Sequence, residues 1–568
     1  MKASDYIVEY FIKKGVTDVF GYPGGMVTHL IESMRKYQDR ITAHNCYNEQ
    51  GAAFEACGYA QVKGIPGVAY ATSGPGATNL ITGICNAWFD SIPVIFLTGQ
   101  VNRNESCIGM NIRQRGFQEA DIVSMVQNVT KMAVRVAEPN ELPELLEHVW
   151  DVSVSGRKGP VLLDIPMDVL RADIFISKVE LHKEAKTENR RLRNFDKLIK
   201  LVTEARRPCI IAGAALKNEK SRKLFLKLVN LIHVPVVTSM VSMDLLPHNH
   251  ECNFGFIGAY GKRTANFIVA KADLVITLGS RLDIRQVGAI RENFAPEARL
   301  VRVDIDDAEL GYSIRDDEVD VCANVDDVLE ALIEKVSCNF SEWRGWLNIC
   351  HKIAESLSGI DDQDTNRFVT NISRYIPDNV VITTDVGQNQ VWVAQSFQNT
   401  EHQRILFSGG MGAMGYSLPA AIGACIASKR LVVSFNGDGG IQMNIQELQF
   451  VVREHLPVKI IIFNNHALGM IRHFQEMYFD SNYALTTENS GYTMPNFEKI
   501  AGAYGLEYYS FENPEAVNDS FMKNDDPAIV EVKINHYTYV KPKLRFRQPN
   551  QDQEPLIDRN LYSYLMSL

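Results

Sequence analysis

No apolar run approaches the roughly 18 residues that a spanning helix needs, so a membrane partner is not expected. The N-terminus, MKASDYIVEYFIKKG, lacks an unbroken apolar core and a cleavage site, and reads as an amphipathic helix of the fold. The ten cysteines include no CxxC pair, which argues against a zinc site or a disulfide framework. Cys85, Cys209 and Cys425 stand in apolar surroundings, so reduced thiols and a cytoplasmic location are expected. Basic charge is in deficit, 58 Lys and Arg against 68 Asp and Glu for a net -10, which argues against a nucleic-acid partner. The middle region from Phe195 to about Val336 has no GxGxxG, and the chain has no GxSxG, so neither a standard dinucleotide fingerprint there nor a hydrolase nucleophile elbow is expected.

What remains is a soluble-type composition, 46% hydrophobic and 22% charged over 568 residues, enough for about three or four domains. The most informative stretch is 435–472, FNGDGGIQMNIQELQFVVREHLPVKIIIFNNHALGMIR. An apolar run ends in Gly437-Asp438-Gly439-Gly440. A helical pattern follows from about Asn444 to Glu454, then a second apolar run, Val458 to Phe463, ends in Asn464-Asn465. Strand, turn, helix and strand form one βαβ unit, so Asp438 and Asn465 should converge at the carboxyl ends of parallel strands. A carboxylate and an amide oxygen suit Mg2+, and glycines admit a phosphate close to the backbone.

The pattern GDG, a spacer in the high twenties, then NN resembles the signature of the thiamine-diphosphate enzymes. The resemblance implies that Asp438, Asn465 and the carbonyl of Ala467 hold Mg2+ on the cofactor diphosphate. Asn48-Glu49-Gln50-Gly51-Ala52 resembles the family's activating segment. Glu49 opens a helix of small residues, and close packing there would desolvate its carboxylate. The resemblance gives Glu49 the bond to the cofactor's aminopyrimidine that promotes deprotonation of the thiazolium.

The other motifs are most similar to acetolactate synthase, catalytic subunit. Tyr22-Pro23-Gly24-Gly25 and the turn at Pro75 fall on the family's pyrimidine side, and Phe117-Gln118 resembles its substrate-side FQE loop. On the diphosphate side stand Gly387, Gln388 and Asn389, the last where the family has His. Gly412 and Met414 follow, with Met414 at the apolar wedge position, then Gly469 and Met470 in the segment that covers the cofactor. In the middle region Gly213, Ala214, Arg281 and Asp304 lie in stretches similar to the family's flavin contacts, which implies FAD. Arg285 is the implied grip on a second oxo acid.

Three further positions depart from the family. Met167 replaces the lysine of DIPKDV, Ile284 an aspartate, and Phe474 the common tryptophan. The tail 541–568 is also unlike the synthases' short tail.

The fold class expected is α/β, three doubly wound parallel-sheet domains. They are a pyrimidine-binding domain at 1–175, a central domain at 190–345 and a diphosphate-binding domain at 365–540, followed by the tail. Linkers are expected at His182 to Arg193 and at Ser358 to Asp364. The implied activity is decarboxylation of pyruvate or a similar 2-oxo acid and carboligation to a second carbonyl. Alternatives are a ketosugar or aldehyde acceptor, a simple decarboxylase, or a non-catalytic binding protein on this fold. The resemblance also implies a homodimer or homotetramer with Glu49 and Asp438 as halves of one interface site.

Overall fold

The computed structural model describes residues 1–175, 193–336 and 343–568. Apart from Arg193, the linker expected at 182–193 lies outside the described residues. Three six-stranded sheets carry the fold, and every ladder within them is parallel.

The first sheet comprises β1 (Asp18–Gly21), β2 (Thr42–Asn45), β3 (Gly67–Ala71), β4 (Val94–Gln100), β5 (Met132–Arg135) and β6 (Val161–Pro166), in the order β2-β1-β3-β4-β6-β5. The second has β7 (Pro208–Ala212), β8 (Val236–Thr238), β9 (Asn253–Phe256), β10 (Leu274–Leu278), β11 (Arg299–Asp304) and β12 (Val319–Cys322), ordered β12-β11-β10-β7-β8-β9. The third has β13 (Val381–Thr384), β14 (Arg404–Phe407), β15 (Val432–Gly437), β16 (Val458–Asn464), β17 (Glu507–Phe511) and β18 (Ala528–Lys533), ordered β14-β13-β15-β16-β18-β17. Central strands such as β4 are buried at every residue, which is why they read as unbroken apolar runs.

Each sheet reverses its strand order near its centre: between β1 and β3, between β7 and β10, and between β13 and β15. A crevice opens beyond the carboxyl ends of strands at such a reversal. The strands at these reversals lead into Tyr22 and Thr72 in the first sheet, Gly213 and Gly279 in the second, and Asp385 and Asp438 in the third, and of these the sequence singles out Tyr22, Gly213 and Asp438.

The first and third domains share one apolar core within the chain, in which Phe54, Tyr59, Leu418, Ile422 and Phe450 are fully or almost fully buried. Its seam is the helix Glu49–Lys63 against the helix Ser417–Ser428. The first is capped by Asn48, whose side chain accepts from the Gln50 N–H at 2.8 Å, and ends at Gly64 in the left-handed region. Glycine sets how close the helices come: a Cβ on Gly58 would lie 2.2 Å from the Ala420 carbonyl oxygen, and one on Gly423 would lie 1.9 Å from that of Glu55.

One element departs from expectation. The segment after Gly440 is a 3-10 helix, Ile441–Glu447, with Asn444 outside helical geometry, before the short α-helix Leu448–Arg453. The Asn444 side chain donates to the Gly415 carbonyl at 2.9 Å, so a tertiary bond to a neighbouring loop overrides the helical period.

The tail does not hang free. Its helix Arg559–Ser567 places Leu565 in the central-domain core. Among the described residues, no helix is long and apolar enough to cross a membrane.

Candidate active site

The β15–β16 ladder pairs Gly437 with Phe463, and the Asp438 N–H donates to the Phe463 carbonyl at 3.2 Å. Asp438 and Asn465 are therefore brought to one crevice, both almost fully buried. One Asp438 oxygen, Oδ1, accepts from the Tyr492 hydroxyl at 3.2 Å. The other, Oδ2, is buried with no hydrogen-bond partner among the described residues. Burial pushes this carboxyl up to about 7, against the Tyr492 bond and the approaching N–H groups of Gly439, His466 and Ala467. An orphaned carboxylate oxygen in such a place is costly unless a cation or donor meets it, so the donor set fits a hard cation.

Asn465 is held in orientation by two bonds. Its amide N–H donates to Gln388 Oε1 at 3.0 Å, and its Oδ1 accepts from the Ala467 N–H at 3.2 Å. A Cβ on Gly469 would fall 1.9 Å from Gln388 Oε1, so glycine is required to keep Gln388 in place. Gly439 and Gly440 form the floor: added Cβ atoms would meet Leu468 and the Tyr492 hydroxyl at the first, and the Asp385 carboxylate at the second. Gly387 and Gly412 take positive φ at the turns facing this floor. Met414 is half-buried, with its Cε 3.3 Å from a Cβ built on Gly439. Met470 packs instead on the apolar core of the third domain.

Asn389 behaves differently from a ligand donor. It is 2% exposed and its amide donates to the carbonyls of Asp385 and Phe435, at 2.9 and 3.5 Å. It ties the ends of β13 and β15 together.

Glu49 lies at the start of its helix and is 8% exposed. Asn79 donates to its Oε2 at 2.9 Å, while Oε1 lies 3.0 Å from a Cβ built on Gly76. One carboxylate oxygen is thus fixed and the other faces a surface cleared of side chain. Tyr22, Pro23, Gly25 and Pro75 line exposed turns in the same domain, and Gly24 packs so tightly on Thr72 that a Cβ would come within 2.4 Å. In this chain the bonds of Glu49 go to its own domain and those of Asp438 to the third, with no shared partner.

Phe117 is 79% exposed and Gln118 holds a left-handed φ of 61°. Such strain in a non-glycine residue persists only where surroundings impose it, and Glu119 does so. Its buried carboxylate accepts from Ser106, Cys107, Arg115 and Gly116. Burial opposes its ionisation, yet these bonds hold it down at about 2. The exposure of Phe117 rules out a core-packing role within the chain.

The second-sheet crevice opens into a groove of about 1190 Å3 lined by Ala214, Arg281, Arg285 and Asp304. Gly213 sits beneath it, where a Cβ would lie 2.0 Å from the Gly279 carbonyl oxygen, so its glycine serves strand packing. Burial raises the Asp304 carboxyl.

Sequence reasoning missed Asp385 and Tyr492. Asp385 is fully buried, accepts from the N–H groups of Val386 and Gly415, and is pushed up to about 7 by burial. It binds the turns after β13 and before the helix Ser417–Ser428. Its position at a strand end next to Gly387 was a readable signal. Nothing in the sequence marks Tyr492, which reaches Asp438 from 54 residues away.

Comparison with known proteins gives matches along most of the chain. Residues 1–125, 195–332 and 385–532 match the N-terminal TPP binding, central and C-terminal TPP binding domains of the thiamine pyrophosphate enzymes. The acetolactate synthase large subunit of Lactococcus lactis is 32% identical over 95% of this chain and 94% of its own length. Isozyme 1 large subunit of Escherichia coli is 34% identical over 95% of each. Chloroplastic acetolactate synthase 1 of Nicotiana tabacum is 32% identical over 96% of this chain and 83% of the relative.

Proposed function

Since this chain belongs to the thiamine pyrophosphate enzymes, in the family of acetolactate synthase large subunits, we propose that it decarboxylates pyruvate or a similar 2-oxo acid. The remaining two-carbon unit is then joined to a second carbonyl; with pyruvate as acceptor the product is 2-acetolactate. The observation that carries this reading is the presence of a sequestered Glu49 carboxylate in the first domain and of an orphaned Asp438 oxygen at the reversal of the third sheet.

Thiamine diphosphate, when bound, supplies the electron sink for the carbanion left as carbon dioxide departs. This chain's own residues do the rest. Asp438 Oδ2, Asn465 Oδ1 and the Ala467 carbonyl would hold Mg2+, with Gln388 and Tyr492 keeping the first two in orientation. Gly439 and Gly440 admit the diphosphate to the backbone. Asn79 fixes Glu49 Oε2, so that Oε1 is the atom that exchanges a proton with the pyrimidine ring. Phe117 and Gln118, projecting from the loop that Glu119 organises, would close the substrate side of a site shared with a partner copy. That copy makes the working unit a homodimer or a larger homo-oligomer, in the cytoplasm. Arg285 can grip an acceptor carboxylate through two parallel bonds. The groove beside Ala214, Arg281 and Asp304 is of a size and place to seat FAD.

Incubation of the purified protein with labelled pyruvate, thiamine diphosphate and Mg2+ tests this. Carbon dioxide release with labelled acetolactate is expected. Carbon dioxide without acetolactate, rescued by an added sugar or aldehyde, would replace the acceptor. No release from any 2-oxo acid would sink the proposal. A yellow flavin absorbance in the purified protein is the expected sign of FAD.

A further inference from the structure

The tail brings a buried cation to the acceptor side. Beyond β18 the chain returns to the central domain, and Lys543 is pinned in passing. Its N–H and carbonyl bond to Glu554 at 2.9 and 2.8 Å, the Leu544 N–H donates to the Ala259 carbonyl at 2.7 Å, and the Asn550 amide donates to the Gln286 carbonyl at 2.6 Å. The same loop carries Arg285, whose carbonyl accepts from the Ala259 N–H at 2.8 Å. The Phe546 N–H reaches the hydroxyl of Tyr478, on the helix of Phe474, at 3.4 Å. Three segments distant in sequence are thus locked together around one side chain.

Lys543 is 7% exposed. No hydrogen bond or ion pair to its ammonium is found among the described residues. Its Nζ instead stands 6.0 Å from the Phe474 ring and 5.9 Å from the Tyr260 ring. Tyr260 also feels the charge of Arg285, which works against the rise that burial causes in its hydroxyl. The Glu554 carboxylate is turned towards Arg545, at 4.0 Å. His473 is neutral: burial first, and then the charges of Lys543 and Lys541, push it down to about 4. A partly desolvated ammonium without a counter-ion is unfavourable, and burial lowers Lys543 to about 8. Aromatic faces offset only part of that cost. An anion that completes the site would offset the remainder.

We propose that Lys543 is a specificity-determining residue that binds the carboxylate of the acceptor beside Phe474. The inference rests on the carboligation reading above and names a residue for its second substrate. It predicts that this chain selects acceptors bearing a carboxylate over neutral carbonyls of the same length.

The test uses the full chain loaded with thiamine diphosphate and Mg2+, with pyruvate as donor and 2-oxobutyrate and propanal competing as acceptors. The readout is the ratio of the two products, which partial loss of folded protein does not move. Lys543→Met keeps the aliphatic stem, and its ratio is expected to fall by roughly tenfold or more, as for loss of a bond to a charged group. Lys543→Arg should restore most of it. A second arm measures 2-oxobutyrate binding by calorimetry on the chain carrying Glu49→Gln, where Lys543→Met should weaken binding by a similar factor. An unchanged ratio, or an equal loss of both products, overturns the proposal. If the unaltered protein releases no carbon dioxide from pyruvate, the parent reading fails; the calorimetric arm then still decides the role of Lys543.

Discussion

Glu49 and Asp438 are both buried carboxylates, yet their surroundings assign them opposite duties. Glu49 has one oxygen tied by Asn79 and the other against the bare face of Gly76. Asp438 has one oxygen tied by Tyr492 and the other orphaned. Two separable defects are therefore expected. Glu49→Gln should lower decarboxylation by on the order of 10² to 10⁴, the usual worth of positioned proton transfer, while calorimetry still detects thiamine diphosphate binding. Asp438→Ala should lose the binding itself, in a way that excess Mg2+ does not repair. If both variants bind the cofactor equally well, the division of labour is wrong.

Where the helix Glu49–Lys63 crosses Ser417–Ser428, backbone touches backbone. Gly423→Val is expected to cost about 1–3 kcal/mol or more, since a branched side chain must push apart two buried helices. A thermal melt that matched the unaltered protein would contradict this packing. Close by, Glu55 is fully buried, its Oε2 taken by the Cys46 thiol at 2.8 Å, and Glu447 accepts from the Tyr47 N–H at 2.9 Å. Burial raises both carboxyls, Glu447 to about 7, and the charge of Glu447 adds to the rise of Glu55. The folded state thus holds protons that the unfolded chain has already released above the ordinary carboxyl range. Stability from this pair is fully present at low pH and is lost as pH rises towards 7. Melting temperatures taken between pH 5 and 8 should fall with pH, and Glu447→Gln should flatten that slope. An unflattened slope would place the titration elsewhere.

Taken as one molecule, the chain has three α/β sheets; the first and third domains share one core, and Met243 and Phe256 of the central domain join a second core of the third. The core shared by the first and third fastens Glu49 and Asp438 on one chain without giving them a common partner. The proposed remedy is a second copy, offering its own third domain to Glu49 and to the exposed Phe117 loop on the same half-site. Co-expression provides the check. Glu49→Gln chains mixed with Asp438→Ala chains should regain activity that neither shows alone, because one site of each mixed pair carries both native residues. A mixture as inactive as its parts would put the whole site within a single chain.

Much of this was legible in the linear chain, and for a physical reason. Buried parallel strands must be continuous apolar runs, and turns that approach a ligand must lack side chains, so β15, Asp438, β16 and Asn465 announce themselves. Motif order named the family on the same grounds. Contacts between distant segments leave no such local mark. That Asn389 turns inward to bind two strand ends, that Asn444 breaks a helix to reach Gly415, and that Tyr492 supports Asp438 were decided only when the sheets stacked. So was the position of Lys543: its sequence neighbours suggest a solvated tail, and only the return of that tail to the central domain buries its charge beside Phe474.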